Sequence, residues 1–167
     1  MGHIWLIGMM GSGKSTVGRL LADRLGRPFY DTDAIIERSS GSSIAEIFEH
    51  SGEAAFRERE RAAIAEVAVA PSGVVAAGGG AVLDVLNVDA MKASGSVVLL
   101  TADAGILAAR VAGAADRPLL SESGDRGLRA IERARAAFYR AAADAVVDAN
   151  GSIGTVTDRV EAACNVS

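Results

Sequence analysis

The sequence predicts an α/β fold in three layers, with a central parallel sheet covered by helices on both faces. Two observations lead to this prediction. Short apolar runs of strand length alternate with segments whose apolar residues recur at helical spacing. A glycine-rich loop joins the first apolar run to the first helical segment. Strands that alternate with helices form parallel sheets, whose ligands bind at the carboxyl ends of the strands.

The composition indicates one domain that spans residues 1–167. Half of the residues are apolar, which at this length is enough for one sizeable core. A net charge of −4 does not favour general binding to nucleic acid or to an anionic membrane, and no uninterrupted apolar run approaches the ~18 residues of a membrane helix. Cys164 is the only cysteine, so no intramolecular disulfide can form. We therefore expect a cytoplasmic protein, and we expect it to be a monomer.

The first predicted strand, at residues 4–7, leads into the pattern G-x-x-x-x-G-K-S at residues 8–15. Between a strand and a helix, this pattern is a phosphate-binding loop (P-loop), and residues 16–25 have the helical spacing. Glycines let backbone N–H groups converge on phosphate oxygens, the lysine reaches the outer phosphates, and the serine hydroxyl reaches Mg²⁺. A chance glycine-rich turn is the weaker alternative. The expected nucleotide contacts are Gly11, Ser12, Gly13, Lys14, Ser15 and Thr16.

Two acids follow the second, short extended segment at residues 27–30. In a parallel sheet, Asp31 and Asp33 would lie at the same edge as the P-loop. Asp31 could then hold a metal-bound water, and Asp33 could accept a proton from a substrate hydroxyl. A turn, or an N-cap formed by Asp33 before a helix that starts at Ala34, is the more ordinary interpretation of the local sequence.

The remaining elements continue the alternation. Ser43 and Glu46 match a capping box, and residues 53–69 place Phe56, Ala63, Ile64 and Val67 on one helix face. Further strands are predicted at residues 73–77, 96–100 and 145–147, and further helices at 104–111 and 153–163. Residues 112–127, which include Arg117, are predicted as a long loop that is either a mobile lid or a surface connection.

Several residues could bind an anion. At 100° per residue, Arg135 falls on an apolar stripe formed by Leu128, Ile131, Phe138 and Ala142, whereas Arg133 and Arg140 point away from it. An arginine that faces a core needs a paired anion, which is either an internal carboxylate or a bound ligand. Arg57 and Arg117 have the plainer alternative of being solvated. The three glycines at 78–80 form either a tight turn or a close backbone approach to a ligand.

Five segments together resemble the shikimate kinase family, in the order in which that family has them. They are the P-loop, Asp31-x-Asp33, Gly52-Glu53-x-x-Phe56-Arg57-x-x-Glu60, Gly78-Gly79-Gly80-Ala81-Val82 and Arg117-Pro118-Leu119-Leu120. The resemblance covers almost the whole chain. It implies a nucleoside-monophosphate-kinase-like P-loop fold that uses ATP and Mg²⁺ to phosphorylate the 3-hydroxyl of shikimate.

The resemblance also implies roles for individual residues. Asp33 resembles the aspartate that binds the reacting diol and acts as base, and Asp31 resembles the acid near Mg²⁺. Arg57 and Arg135 are similar to the arginines that hold the substrate carboxylate. Arg57 lies inside the implied substrate-binding region at about 33–60, and Arg135 lies outside it. Gly79 and Gly80 are implied to contact the substrate, and Arg110 the nucleotide. Arg117 is implied to contact both the substrate and the transferring phosphate, and Lys14 and Arg117 supply positive charge. A turn near Asn150 and Gly151 is implied to contact adenine.

The chain departs from the family pattern at two places. The family commonly has Arg-x-Pro-x-Tyr around the second substrate arginine, where this chain has Arg135-Ala136-Ala137-Phe138-Tyr139 and so lacks the proline. It also commonly has Asn-Arg after the glycine segment, where this chain has Asn87-Val88. Alanine is the better helix former, so the helix could be straighter and could aim Arg135 differently. Two other functions remain open at this stage. One is a kinase for another carboxylated polyol, such as a gluconate kinase relative, and the other is a nucleotide-binding regulatory protein without transfer activity.

Overall fold

A computed structural model describes residues 2–111 and 124–164, and its centre is a five-stranded parallel sheet. The strands are β1 His3–Ile7, β2 Phe29–Asp31, β3 Val74–Ala76, β4 Gly95–Thr101 and β5 Ala145–Asp148. Their order across the sheet is β2-β3-β1-β4-β5, and every neighbouring pair is parallel. Trp5 in the middle of β1 lies opposite Val75 on one side and Val97 on the other. The predicted α/β fold with a central parallel sheet is confirmed.

Helices connect the strands and cover the sheet. They are α1 Lys14–Leu25, α2 Thr32–Ser40, α3 Ile44–Ala68, α4 Val85–Ser94, α5 Ala104–Val111, α6 Gly124–Ala142 and α7 Ile153–Cys164, with a 3₁₀ turn at Ala81–Leu83. The predicted bounds of α5 match those observed. Among the described residues, no helix has the length and apolarity needed to cross a membrane.

Both faces of the sheet are buried, as a parallel sheet requires. Alternate residues of β1 point to opposite faces: Ile4 and Leu6 pack with residues of α1 and α7, whereas Trp5 and Ile7 pack with residues of α2, α3, α4 and α6. All five residues of β1 are buried. The apolar run of the first strand therefore reflects a central strand between two cores, which is the predicted three-layer arrangement.

The predicted capping box begins α3. The Ser43 hydroxyl accepts from the Glu46 N–H, and the Glu46 carboxylate accepts from the Ser43 N–H at 2.7 Å. The helix is interrupted at Gly52, whose φ of 79° lies in the left-handed region. Beyond this kink, the predicted face formed by Phe56, Ala63, Ile64 and Val67 is buried.

Three expectations about local structure were wrong. Helix α2 begins at Thr32 with Asp31 as its N-cap, so Asp33 lies in the first helical turn and does not form the cap. Helix α6 begins at Gly124, so residues 124–127 are helical where a loop was expected; residues 112–123 lie outside the described chain. Phe138 is 49 % exposed, and its expected place on the buried stripe of α6 belongs to Tyr139. The helix is continuous through Ala137.

Candidate active site

The P-loop follows β1 with the backbone geometry that its glycines allow. Gly8 has a φ of 141°, and a Cβ there would lie 2.5 Å from the Leu100 carbonyl oxygen, so no other residue fits. Gly13, at the N-cap of α1, has a φ of 92° and offers no side chain to the helix start. Lys14 Nζ donates to the carbonyl oxygens of Gly8 and Met9 at 2.8 and 3.0 Å. The first N–H groups of α1 and the Lys14 ammonium thus form a site for an anion.

Asp31 connects the end of β2 to the P-loop. Its Oδ1 accepts from the N–H groups of Asp33 and Ala34 at 3.1 and 3.3 Å, which caps α2. Its Oδ2 accepts from Ser15 Oγ at 2.7 Å. The same carboxylate therefore fixes the start of α2 and brings an anionic oxygen to the P-loop serine. Hydroxyl and carboxylate oxygens are the donors that Mg²⁺ prefers.

The glycine segment, residues 78–80 after β3, lies between the P-loop and the end of β2. The Gly78 N–H donates to Thr32 Oγ1 at 3.0 Å, which ties the segment to the start of α2. A Cβ on Gly78 would lie 2.9 Å from Asp33 Oδ1 and 2.8 Å from Glu60 Oε1. The missing side chain is thus what allows two carboxylates, one from α2 and one from α3, to approach the same backbone.

Arg57 lies against Gly80, the last glycine of the segment. Its guanidinium donates to Glu60 Oε2 at 2.8 Å and to Glu53 Oε1 at 3.2 Å, and it lies over the Phe56 ring. Glu60 is 1 % exposed, whereas the Arg57 side chain is 20 % exposed. A Cβ on Gly80 would overlap the guanidinium. Arg57 is therefore neither a solvated surface residue nor a fully buried ion pair, and its charge lies at the glycine segment.

Arg135 of α6 reaches the middle glycine of the same segment. A Cβ on Gly79 would lie 3.7 Å from Arg135 Nη1, 3.7 Å from the Met10 N and 3.8 Å from the Gly8 carbonyl oxygen. The P-loop backbone and the second arginine therefore meet at Gly79. Arg133 and Arg140 are exposed, as predicted from the periodicity of the helix.

The charges of this cluster shift the pKa values of two buried groups. Burial raises the pKa of Glu60 above its usual range, although Arg57 and, more weakly, Arg135 lower it. Burial also raises the pKa of Tyr139, opposed by the charge of Arg135 and by its hydrogen bond. Two cations and a buried acid therefore act on one another across the glycine segment. Both guanidinium groups lie at glycines of this segment, which suits the cluster to an added anion.

A second cleft lies on the other side of the P-loop, beside the end of β5. Its lining residues are Ser12, Gly13, Thr16, Val17, Ala149, Gly151, Ile153 and Val156. Arg159 Nη1 holds the turn by donating to the carbonyl oxygens of Asp148 and Asn150 at 2.8 and 2.9 Å. The expected adenine contact near Gly151 thus falls on a cleft that also includes P-loop residues.

The structure brings together most of the predicted site residues. The glycine segment, which includes Gly79 and Gly80, is surrounded by the side chains of Asp33, Arg57 and Arg135. Asp31 and Ser15 are in contact. Arg117 and the side chain of Arg110 lie outside the described part of the chain.

Sequence reasoning assigned no role to three residues at this site, Glu60, Thr32 and Tyr139. Glu60 could have been found, because an acid on the apolar face of Phe56, three residues after an arginine, needs a charged partner. Thr32 gave no such signal, and Tyr139 gave only its match to the family pattern, because their hydrogen bonds to the backbone of Gly78 and Gly79 are long-range contacts.

Known proteins resemble this chain over nearly its whole length. The family model described as shikimate kinase matches residues 10–164. A shikimate kinase from Gloeobacter violaceus is 50 % identical over 151 residues, which cover 89 % of this chain and 84 % of that protein. One from Symbiobacterium thermophilum is 48 % identical over 144 residues, covering 84 % and 83 %.

Solved structures give the same result. The shikimate kinase from Acinetobacter baumannii in complex with shikimate is 36 % identical, with a TM-score of 0.93 over 99 % of this chain and 92 % of that one. A gluconokinase from Sinorhizobium meliloti is 20 % identical with a TM-score of 0.59, covering 99 % of this chain and 92 % of that one. The second likeness concerns the fold alone.

Proposed function

The chain belongs to the shikimate kinase family, and from that premise we propose which of its residues carry out the reaction. The protein phosphorylates shikimate in an ATP-dependent reaction that uses a divalent metal ion. We propose that the acceptor is the 3-hydroxyl, so that the products are shikimate 3-phosphate and ADP. The acceptor oxygen attacks the γ-phosphorus, the bond from that phosphorus to the ADP oxygen breaks, and the hydroxyl proton passes to Asp33.

In this proposal the P-loop binds and polarises the phosphates. Backbone N–H groups of Gly11, Ser12, Gly13 and Thr16 surround them, and Lys14 neutralises charge on the transferring group. The contact of Lys14 Nζ with the Gly8 and Met9 carbonyl oxygens supports this role, because it holds the ammonium above the loop. We assign the adenine to the cleft that includes Gly151.

Ser15 and Asp31 are proposed to hold the metal ion, Asp31 through a water molecule. Their oxygens lie 2.7 Å apart and Asp31 is fixed by its capping bonds, so the donor set fits a hard cation. We propose Mg²⁺, which when bound neutralises phosphate charge. No cluster of three His, Cys, Asp or Glu residues is found within residues 2–111 and 124–164, and Mg²⁺ characteristically shares its ligands with substrate phosphates.

The acceptor is proposed to bind over the glycine segment. Arg57 and Arg135 hold its carboxylate, the backbone of Gly79 and Gly80 contacts its ring, and Asp33 accepts its proton. The observation that carries this assignment is the meeting of Arg135 Nη1 and the Met10 N at Gly79, each 3.7 Å from the Cβ position. A carboxylate-binding arginine thereby lies beside the loop that binds phosphate.

Two further roles rest on the matched sequence positions. Arg110 is proposed to contact nucleotide, and Arg117 is proposed to contact both substrates and to stabilise the transferring phosphate. We also propose that the protein works as a monomer in the cytoplasm. Its single cysteine is in keeping with a reducing compartment.

The test is a coupled assay of ADP release with ATP and Mg²⁺, comparing shikimate, gluconate and no acceptor. We expect release that depends on shikimate, with shikimate 3-phosphate identified as the product by mass and NMR spectroscopy. Activity with gluconate alone would refute the acceptor, and nucleotide binding without transfer to either acid would refute the kinase. Chelation of the metal by EDTA should stop the reaction, and added Mg²⁺ should restore it.

A further inference from the structure

The hydroxyl of Tyr139 lies at the point where helix α6 meets the glycine segment. The side chain is 3 % exposed and belongs to the main core. Its hydroxyl donates to the Gly79 carbonyl oxygen, and the sulfur of Met9 in the P-loop lies 3.7 Å away. A phenol has one proton, so the carbonyl takes it and the sulfur is a packing contact.

Tyr139 and Arg135 are four residues apart in α6 and therefore lie on the same face of the helix. The tyrosine donates to the carbonyl oxygen of Gly79, and Arg135 Nη1 lies 3.7 Å from the position that a Cβ on Gly79 would take. Burial raises the pKa of Tyr139, and the charge and hydrogen bonding of Arg135 oppose that rise. Two side chains on one face of α6 thus lie at Gly79.

The P-loop backbone lies near Gly79 on the same side as the Arg135 guanidinium. The Met10 N and the Gly8 carbonyl oxygen lie 3.7 and 3.8 Å from the Cβ position of Gly79. A shift of α6 relative to the glycine segment would therefore change where the Arg135 guanidinium lies relative to the P-loop. Within the described chain, the Tyr139 hydroxyl is the one side-chain donor to the Gly79 carbonyl.

We propose that Tyr139 is a positioning residue for the acceptor, which fixes the distance between the Arg135 guanidinium and the P-loop through its hydrogen bond to Gly79. The inference rests on the proposed function, because it takes Arg135 as a carboxylate-binding residue. The tyrosine touches neither substrate in this role. It sets the position of the carboxylate-binding group, and through it the distance from the acceptor hydroxyl to the phosphate.

The test removes the phenolic oxygen of Tyr139. Tyr139→Phe keeps the buried ring and removes the hydrogen bond to Gly79. The matched control is Tyr30→Phe, because Tyr30 also donates to a backbone carbonyl, that of Pro71, at 2.9 Å, but at an exposed position away from the glycine segment. We expect Tyr139→Phe to raise the KM for shikimate about tenfold while leaving the KM for ATP unchanged, since only the acceptor arginine is displaced. Tyr30→Phe should leave both constants unchanged.

A double-mutant cycle separates positioning from a general loss of stability. In an Arg135→Ala background there is no guanidinium to position, so Tyr139→Phe should have little further effect on the KM for shikimate. An unchanged KM in the single variant, or an equal rise with and without Arg135, would overturn the inference. If wild-type protein turns over shikimate, such a result leaves the proposed function intact; if wild-type protein does not, the proposed function itself has failed.

A second measurement leaves Tyr139 in place. The chain has two tyrosines, so the Tyr30→Phe protein grown with 3-fluorotyrosine carries a single fluorine probe at Tyr139. We expect its ¹⁹F resonance to shift when shikimate is added, and to shift much less in the Arg135→Ala protein at saturating shikimate. A resonance that does not shift when shikimate is added would refute the coupling between Tyr139 and the acceptor site, even if Tyr139→Phe failed to fold.

Discussion

Replacement of Gly80 by alanine tests the acceptor site most directly. A Cβ at this position would lie 2.6 Å from Arg57 Nη2 and 2.8 Å from Arg57 Cζ, and it would overlap Nη1. The φ of Gly80 is −101°, so alanine adds no backbone strain. The group that must move is the end of a flexible side chain, so we expect Gly80→Ala to fold with Arg57 displaced.

The size of the effect follows from these distances. Carbon and nitrogen atoms in ordinary contact lie about 3.5 Å apart, so the guanidinium must retreat by roughly 1 Å. Its 2.8 Å hydrogen bond to Glu60 Oε2 would then be broken, at a cost of about 1.5–3 kcal/mol for a bond between charged groups. Misplacement of a binding group by about 1 Å can lower turnover efficiency about 10²-fold, or ~2.7 kcal/mol.

The assay is steady-state ADP release with shikimate and ATP varied separately. We expect kcat/KM for shikimate to fall about 10²-fold in Gly80→Ala, with the KM for ATP nearly unchanged. The midpoint of thermal unfolding should fall by roughly 3–12 °C, at about 2–4 °C per kcal/mol for a domain of this size. The control is Gly105→Ala in α5, where the added Cβ would meet nothing within 4 Å; its kinetics should equal those of the wild type.

The cause of the loss can be checked by removing the displaced group. In an Arg57→Ala background, Gly80→Ala has no guanidinium to displace and should lower kcat/KM little further. Wild-type kinetics for Gly80→Ala would refute the reasoning, because the guanidinium would then be free to move without consequence for the acceptor. An equal loss with and without Arg57 would show that the methyl group obstructs the acceptor itself.

Three other outcomes are expected. Asp33→Asn should lower kcat by about 10²–10⁴-fold, since an amide cannot take the proton; single-turnover measurements with retained activity would reduce Asp33 to a binding role. Arg117→Ala should lower kcat about 10³-fold with little change in nucleotide affinity, and unchanged turnover would remove Arg117 from the mechanism. Burial raises the pKa of the Cys164 thiol, opposed by the charge of Arg27, so less thiolate is present at neutral pH. Cys164 should therefore react slowly with an aromatic disulfide until the protein is unfolded or the pH is raised. Rapid labelling of native protein would contradict this expectation.

The sequence was sufficient for the layers of the fold because its strongest signals are local. The P-loop, the capping box at Ser43 and the alternation of apolar runs each depend on residues that are close in the chain. Two of the errors, at the cap of α2 and on the inner face of α6, occurred where a distant contact decides between two local options. Asp31 and Asp33 are both acceptable caps from sequence alone; Asp31 caps α2 while its other oxygen accepts from Ser15, sixteen residues away.

The same reason explains the error at α6. Helical periodicity placed Arg135 on the inner face of α6, and Arg135 is half-buried as expected. Periodicity could not decide whether Phe138 or Tyr139 is the buried residue at the edge of that face. The choice depends on the Gly79 carbonyl, which accepts from Tyr139 and lies sixty residues earlier in the chain. A phenylalanine cannot supply that hydrogen bond. Polar satisfaction of one buried backbone group therefore decided the orientation that hydrophobic spacing left ambiguous.

Strand order explains why the glycine segment carries so many of the contacts. Strand β3 lies between β2, which ends at Asp31, and β1, which leads into the P-loop. Neighbouring strands are about 4.8 Å apart, so the backbones of β2 and β1 are separated by about 10 Å, with β3 and the glycine segment between them. In the proposed arrangement, the ring of the acceptor lies above β3 with its hydroxyl between Asp33 and the phosphates. The nucleotide cleft lies on the other side of β1, at the end of β5. Because the proposed sites for the two substrates lie on opposite sides of one strand, we expect changes in β2, α3 and the glycine segment to alter the choice of acceptor without altering the binding of ATP.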